Sequence, residues 1–187
     1  MGKKDKVLTA MLLVVLAVCI AATIYLIITP KPTEPFTEFY ILGPNGKAAD
    51  YPHYLRKGEK ASVIIGIVNH EHRTLNYTIT VWLVNESFNN GSVTVHHIYL
   101  MKVMHVRLKS IPVRVEGNWT PEWQGWYNFS VNRTGKFKLW FLLFKHNVTL
   151  PNPENGDYVN TSVRNWIVEA SNVSSKILSL NLNLVVR

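Results

Sequence analysis

The apolar positions divide the chain in two. From Val7 to Ile28 there is no charged residue and nearly every position is apolar. A helix of that length, at 1.5 Å rise per residue, is roughly 33 Å long and crosses a bilayer core of about 30 Å. Beyond Pro35 the apolar residues come in short stretches, many alternating with polar ones, between breaks rich in glycine, asparagine and proline. Alternation with a period of two is the signature of a half-buried strand.

Seven strands are predicted: 37–42, 61–69, 77–84, 93–108, 126–131, 135–144 and 177–186. "GPNGK", "RKGEK", "NNGS", "NRTGK" and "PNPENGD" punctuate them as turns. In the last strand Leu178, Leu180, Leu182, Leu184 and Val186 face in, and Ser179, Asn181 and Asn183 face out. In 77–84, Tyr77, Ile79, Val81 and Leu83 share one face, which puts Asn76, Thr78 and Thr80 on a wet one. The stretch "KFKLWFLLF" is apolar on both faces, so a helix, a long loop or another subunit is expected to cover Trp140, Leu142 and Phe144. Val163, Trp166, Ile167 and Ala170 have helical spacing, and a short helix there could supply the cover. The stretch 93–108 changes phase at His96–His97. Val93 and Val95 form one set and Ile98, Leu100, Met104, Val106 and Leu108 another, so a bulge is expected at the two histidines. These strands predict an all-β, immunoglobulin-like sandwich over 36–187, preceded by one transmembrane helix at 7–28. A barrel is the less favoured alternative.

Charge orients the helix. Lys3, Lys4 and Lys6 precede it, opposed only by Asp5, so residues 1–6 are expected in the cytoplasm and the domain outside. Residues 29–35, with Pro30, Pro32 and Pro35, read as a stiff linker. A cleaved signal peptide is the rival, but the apolar run continues through Leu26, Ile27 and Ile28, past the length of a signal core. Cys19 is the single cysteine, so the outer part has no disulfide. The net charge is +8, of which the residues before the helix account for +2, leaving +6 outside. That charge suits anionic head groups or an acidic envelope polymer. Nucleic acid is not an expected partner of a domain outside the cell.

The strongest compositional signal is the triplet Asn-X-Ser/Thr. It occurs at Asn76, Asn85, Asn90, Asn118, Asn128, Asn132, Asn147, Asn160 and Asn172, nine of the 17 asparagines. Chance predicts about two, so N-glycosylation is expected across this region. Asn118 is the weakest acceptor, because Pro121 follows its threonine.

Two clusters raise chemistry. In "NHEHRTLN", His70 and His72 would share a face if they lay on a strand, and with His96, His97 or His105 could hold a metal. The plainer reading is a turn between strands, with Asn69 and Glu71 bonding turn backbone. No nucleophile motif, phosphate-binding glycine loop or calcium loop occurs, so no enzyme is expected, and no catalytic, cofactor or metal residue is assigned. "NWTPEWQGWYNF" places Trp119, Trp123 and Trp126 together, where they could stack on sugar rings or fill an interface. Trp140, Leu142 and Phe144 are interface candidates as well.

"FTEFYILGPNGKAADYP", "GEKASVIIGIVNHEHRTLNYTI" and "GKFKLWFLLFK" resemble an archaeal membrane-protein family known as domain of unknown function 1616. The likeness runs from about Phe36 to Phe144. Its most specific motif is Gly66-Ile67-Val68-Asn69-His70-Glu71 followed by Asn76-Tyr77-Thr78. The resemblance implies a membrane-anchored ectodomain with an adhesion-type immunoglobulin-like sandwich, and no activity, cofactor or catalytic residue. Many members carry several transmembrane helices where this chain has one. The stretch 147–175 looks like an insertion.

The expected function is therefore a membrane-anchored, N-glycosylated, non-enzymatic surface protein. It would serve as an accessory or structural subunit of a membrane or cell-envelope complex, with no cofactor beyond its glycans. A carbohydrate-binding receptor or adhesin, an extracellular filament subunit and, last, a metal-dependent enzyme using His70 and His72 are the alternatives.

Overall fold

A computed structural model of the chain describes residues 2–28, 34–89, 92–112, 122–171 and 177–187. It forms two units, Met1–Glu34 and Pro35–Arg187. The first is the helix α1, Lys3–Ile28. Its part Lys6–Ile28 is long and apolar enough to cross a membrane. Side chains all round it are exposed, from Val7 at 64% to Ile28 at 72%. A helix apolar on every side has no polar face to turn to water. Thr23 satisfies its hydroxyl within the helix, donating to the Cys19 carbonyl at 2.8 Å.

The second unit is a β-sandwich. Its strands are β1 Phe36–Leu42, β2 Tyr54–Leu55, β3 Lys60–His70, β4 Leu75–Asn89, β5 Ser92–Leu108, β6 Trp123–Ser130, β7 Gly135–Phe144 and β8 Leu178–Val186, with helix α2 at Ser162–Ala170. One sheet has the order β1-β3-β6 and the other β2-β8-β7-β4-β5. Among the seven long strands, successive ones change sheets at β3–β4, β5–β6 and β6–β7. Labelled A, B, C, C′, E, F and G in chain order, the seven long strands give A-B-E against G-F-C-C′, an immunoglobulin-like arrangement. All seven expected strands occur. The eighth, β2, is two residues long and runs parallel to β8, too short to leave a periodic trace.

Inward-facing residues of both sheets make the main core, including Ile65, Ile67, Ile79, Leu139, Phe141 and Leu184. No disulfide is needed to hold it, since Cys19 lies in α1. The outer face of the larger sheet carries a second core of Trp82, Val84, Ile98, Trp140, Leu142 and Phe144. Tyr158 and, from α2, Val163, Ile167 and Ala170 pack on it. Trp82 meets Tyr158 edge-on at 5.0 Å, and Phe144 meets Trp166 at 5.2 Å. Thr161 caps α2 by accepting from the Val163 amide, and the residues predicted to form the helix's apolar stripe do so. Burying one large apolar side chain contributes about 1.5–3 kcal/mol, so this layer is a substantial part of the domain's stability.

Three expectations change. Trp140, Leu142 and Phe144 are 3%, 0% and 7% exposed, covered by the chain's own connector and not open as an interface. Thr78 and Thr80 are fully buried for the same reason, rather than wet. Thr80 accepts from Trp82 Nε1 at 2.7 Å, and Thr78 donates to the His146 carbonyl at 2.9 Å. The phase of β5 also differs. His96 is bulged out between the pairs Asn85–His97 and Glu86–Val95, as expected, but Met101 is a second bulge between Val81–Lys102 and Trp82–Leu100. Two bulges put Ile98 and Leu100 with Val93 and Val95 on the outer core. Met104, Val106 and Leu108 turn to the inner one.

Candidate functional site

The segment Asn69–Arg73 lies at one pole of the sandwich and ties strands together. Strand β3 ends at His70, and His72 sits in the following turn with φ 57°. The two imidazoles therefore do not share a strand face. His70 is 6% exposed, with Nδ1 2.8 Å from the Ile111 carbonyl and Nε2 3.1 Å from the Glu38 carboxylate. Both ring nitrogens are engaged, and a metal could bind only by displacing one of these partners. His96 bonds Ser87, His97 bonds Asp157 and His105 bonds Thr78. Among the described residues no group of three ligating side chains is placed to hold a metal ion.

Asn69 is fully buried and uses its whole amide. Its Nδ2 donates to the Arg73 carbonyl at 2.9 Å and the Leu108 carbonyl at 3.1 Å, and its Oδ1 accepts from the Glu71 amide at 2.9 Å. Its backbone amide donates to Glu122 at 3.1 Å, and its carbonyl accepts from the Ile111 amide. The expectation for Glu71 changes: its side chain does not bond turn backbone but accepts from Thr37 at 2.8 Å and pairs with Lys145. Burial alone would raise the Glu71 carboxyl, but the bonds from Lys145 and Thr37 outweigh it and hold the group below its ordinary value. Thr37 also shares a hydrogen bond with the Tyr77 hydroxyl at 2.9 Å, and burial pushes that phenol up to about 12. The cluster joins β1, the β3–β4 turn, β4, the start of β6 and the end of β7. Its chemistry is that of a polar fastening, with side chains matched to partners on neighbouring strands.

A second fastening lies at the β5 bulge. Asp157 accepts from the Ile98 amide at 2.9 Å and the Val159 amide at 3.0 Å, and meets His97 Nδ1 at 2.6 Å. The Ile98 carbonyl accepts from Tyr158. Desolvation would raise the Asp157 carboxyl, and the bonds from Ile98, His97 and Val159 overcome it and lower it. This anchors the β7–β8 connector over the larger sheet.

The tryptophans separate. Trp123 packs on the inner core with its ring over Gly125, where a Cβ would stand 2.8 Å from it. Trp126 lies on the opposite face of β6 and is 61% exposed. Trp119 falls outside the described residues, and of the two described members of the trio Trp126 is the exposed one. Among the sequon asparagines, Asn76, Asn128, Asn132, Asn147 and Asn160 are exposed and Asn85 is partly so. Asn90, Asn118 and Asn172 lie outside the described residues. A cleft of about 520 Å³ opens beside α2, lined by Phe144, His146, Asn147, Trp166 and Glu169 among others, and is open to solvent.

Reasoning along the chain missed Glu38, Glu122, Lys145 and Asp157. The first three meet partners 32 to 74 residues away, and no local pattern marks them. Asp157 had a local sign, the Asx turn closed on Val159.

Among curated proteins, none matches the chain. Solved structures resemble it distantly. A CARDB domain from Pyrococcus furiosus, described as a complex with di-metal ions, is 12% identical, with 85% of this chain and 94% of that one covered and a TM-score of 0.43. A chain from the complex of zinc 2-glycoprotein and prolactin inducible protein from human seminal plasma is 8% identical, with 84% and 100% covered and a TM-score of 0.41. Beta-glucosidase from Listeria innocua gives 11% identity, 84% and 17% coverage and a TM-score of 0.40. Scores this low carry no argument about ligand or activity, and the fold stands on the strand order itself. Residues 30–167 match the sequence pattern described as Domain of unknown function (DUF1616), a range that ends inside the connector read as an insertion. The chain belongs to that family.

Proposed function

We propose that the protein is a single-pass, membrane-anchored and N-glycosylated surface protein without enzymatic activity. Its N-terminus is cytoplasmic, and its sandwich acts outside as an accessory or structural subunit of a membrane or envelope complex. One conjunction carries this reading. A helix fit to span a bilayer precedes a domain on which six sequon asparagines are exposed or partly exposed. Both features point to the same side of a membrane, because the acceptor triplet acts only where the glycosylation machinery is. The two histidine-containing fastenings support a structural role, since their polar groups are consumed in holding strands.

The test uses the full chain in intact cells and then in mild detergent. Added protease should remove residues beyond the helix, glycopeptides should be found by mass spectrometry, and residues 7–28 should remain in the mature chain. Affinity purification should bring down a stoichiometric membrane partner. A domain shielded from external protease, with bare asparagines, overturns the topology. A chain recovered alone, monodisperse and glycosylated, overturns the accessory role and leaves the topology standing.

A further inference from the structure

The outer face of the three-stranded sheet holds a feature that the fastenings and the core leave unused. Along β6 the inward residues Tyr127 and Phe129 are buried, while Gln124, Trp126, Asn128 and Ser130 are exposed on the other face. Strand β6 is an edge strand. Trp126 is paired in register with Ile64, Gln124 with Gly66 and Asn128 with Ser62. Gln124 is already engaged, donating to the Tyr40 hydroxyl at 2.9 Å across Gly66. On its other side Trp126 is flanked by Asn128, which begins the triplet Asn128-Phe129-Ser130 and faces only the small Ser62 across the sheet.

Trp126 is the exposed one among the described tryptophans. Trp82 and Trp140 are buried, and Trp123 and Trp166 are partly so. Leaving an indole in water forgoes a large apolar contact. We propose that Trp126 is the seat of the first sugar of a glycan carried by Asn128. This rests on the glycosylation reading above. Residues two apart on a strand stand about 6.6 Å apart on one face, so a sugar joined to the Asn128 amide begins at the height of the indole beside it. A pyranose ring carries its axial C–H bonds on one face, and these lean against the electron-rich face of an aromatic ring. The tether keeps the sugar at an effective concentration of roughly millimolar, so a contact with a dissociation constant of about millimolar or below is well populated without any free sugar in solution.

The other exposed acceptors lack this arrangement. Two residues before Asn76, Asn132 and Asn147 stand Thr74, Ser130 and Lys145. Two before Asn160 is Tyr158, but that ring is buried against Trp82. Asn128 is thus the described sequon asparagine with an exposed aromatic ring at that offset on its own strand face.

The experiment takes the full glycosylated chain in detergent. Glycopeptide mass spectrometry first establishes occupancy at Asn128 and at the other sites. Thermal midpoints are then compared for the wild type and Ser130→Ala, which removes the acceptor triplet and leaves Trp126 and Asn128 in place, each with and without Trp126→Thr. Loss of the glycan should lower the midpoint by about 2 °C when Trp126 is present and by less than about 0.5 °C when it is threonine. Trp126→Tyr should restore most of the difference. Oxidative footprinting should label Trp126 several-fold faster in Ser130→Ala, a change that a purely structural tryptophan would not show. Occupancy at Asn128 with equal midpoint losses and equal labelling overturns the proposal. So does a bare Asn128 with Asn132 or Asn147 glycosylated, which leaves the glycosylation reading intact. If every site is bare, that reading falls, and this inference with it.

Discussion

The two sheets treat their outer faces differently. The five-stranded sheet buries Trp82, Trp140 and Leu142 beneath α2 and the connector that follows β7. Among the described residues nothing comparable lies over the three-stranded sheet. There the Tyr40 ring folds over Gly66, Ile64 and Val68 are 8% and 1% exposed, and Trp126 stands out at 61%. Tryptophan thus appears in both settings with opposite meanings. On the first face it is packing within the domain, and on the second it is surface available to a ligand. An apolar strand face marks only a need for cover, and whether the cover is the chain itself depends on the length of the connector beside it.

Substituting the same residue type on each face separates them most sharply. Trp82→Ala should lose about 3–5 kcal/mol in denaturant unfolding, the cost of a large cavity in a closed layer. Asp157→Ala should lose about 1–3 kcal/mol, because the Ile98 amide is left without its partner and the connector is loosened over the sheet. If either change is neutral, the cover is not integral to the fold. On the open face, Gly66→Ala should cost about 1–2 kcal/mol. A Cβ there would stand 1.9 Å from the Tyr40 ring, and the ring, being a side chain, can swing away and limit the loss. The smallest effect is expected for Trp126→Ala in protein without glycans, within about 0.5 kcal/mol by the same measurement.

Acid sharpens the comparison in another way. The Glu71 and Asp157 carboxyls are both held below their ordinary values in the folded chain. A group depressed in this way contributes stability that is present above the unfolded value, near 4, and lost as pH falls through the folded one. The urea midpoint should therefore fall as pH drops below about 4, and Asp157→Asn should flatten that fall. A midpoint that rose in this range would contradict the lowered carboxyls.

The strands were legible because alternation is local. In β8 every second residue faces the core, and in β7 the double apolar pattern announced a covered strand before any cover was visible. Helix α2 was legible from Val163, Trp166, Ile167 and Ala170. The second bulge, at Met101, was not: it shows only when β5 is laid in register against β4. The fastening at Asn69–Arg73 was readable as a turn but not as a junction, since Glu38, Glu122 and Lys145 reach it from distant strands. The sequons were plain in the chain; that Asn128 stands beside an exposed ring required the register of β6.

Asp157 also bears on how copies of this domain meet. Lateral growth of a fibril needs vacant main-chain donors and acceptors on a terminal strand, and β5 is such a strand. At Ile98 both groups are already taken, the amide by Asp157 and the carbonyl by Tyr158. A neighbouring molecule cannot zip along the middle of β5 without first prising that carboxylate away. Pairing between copies through the middle of β5 should therefore be sought in acid.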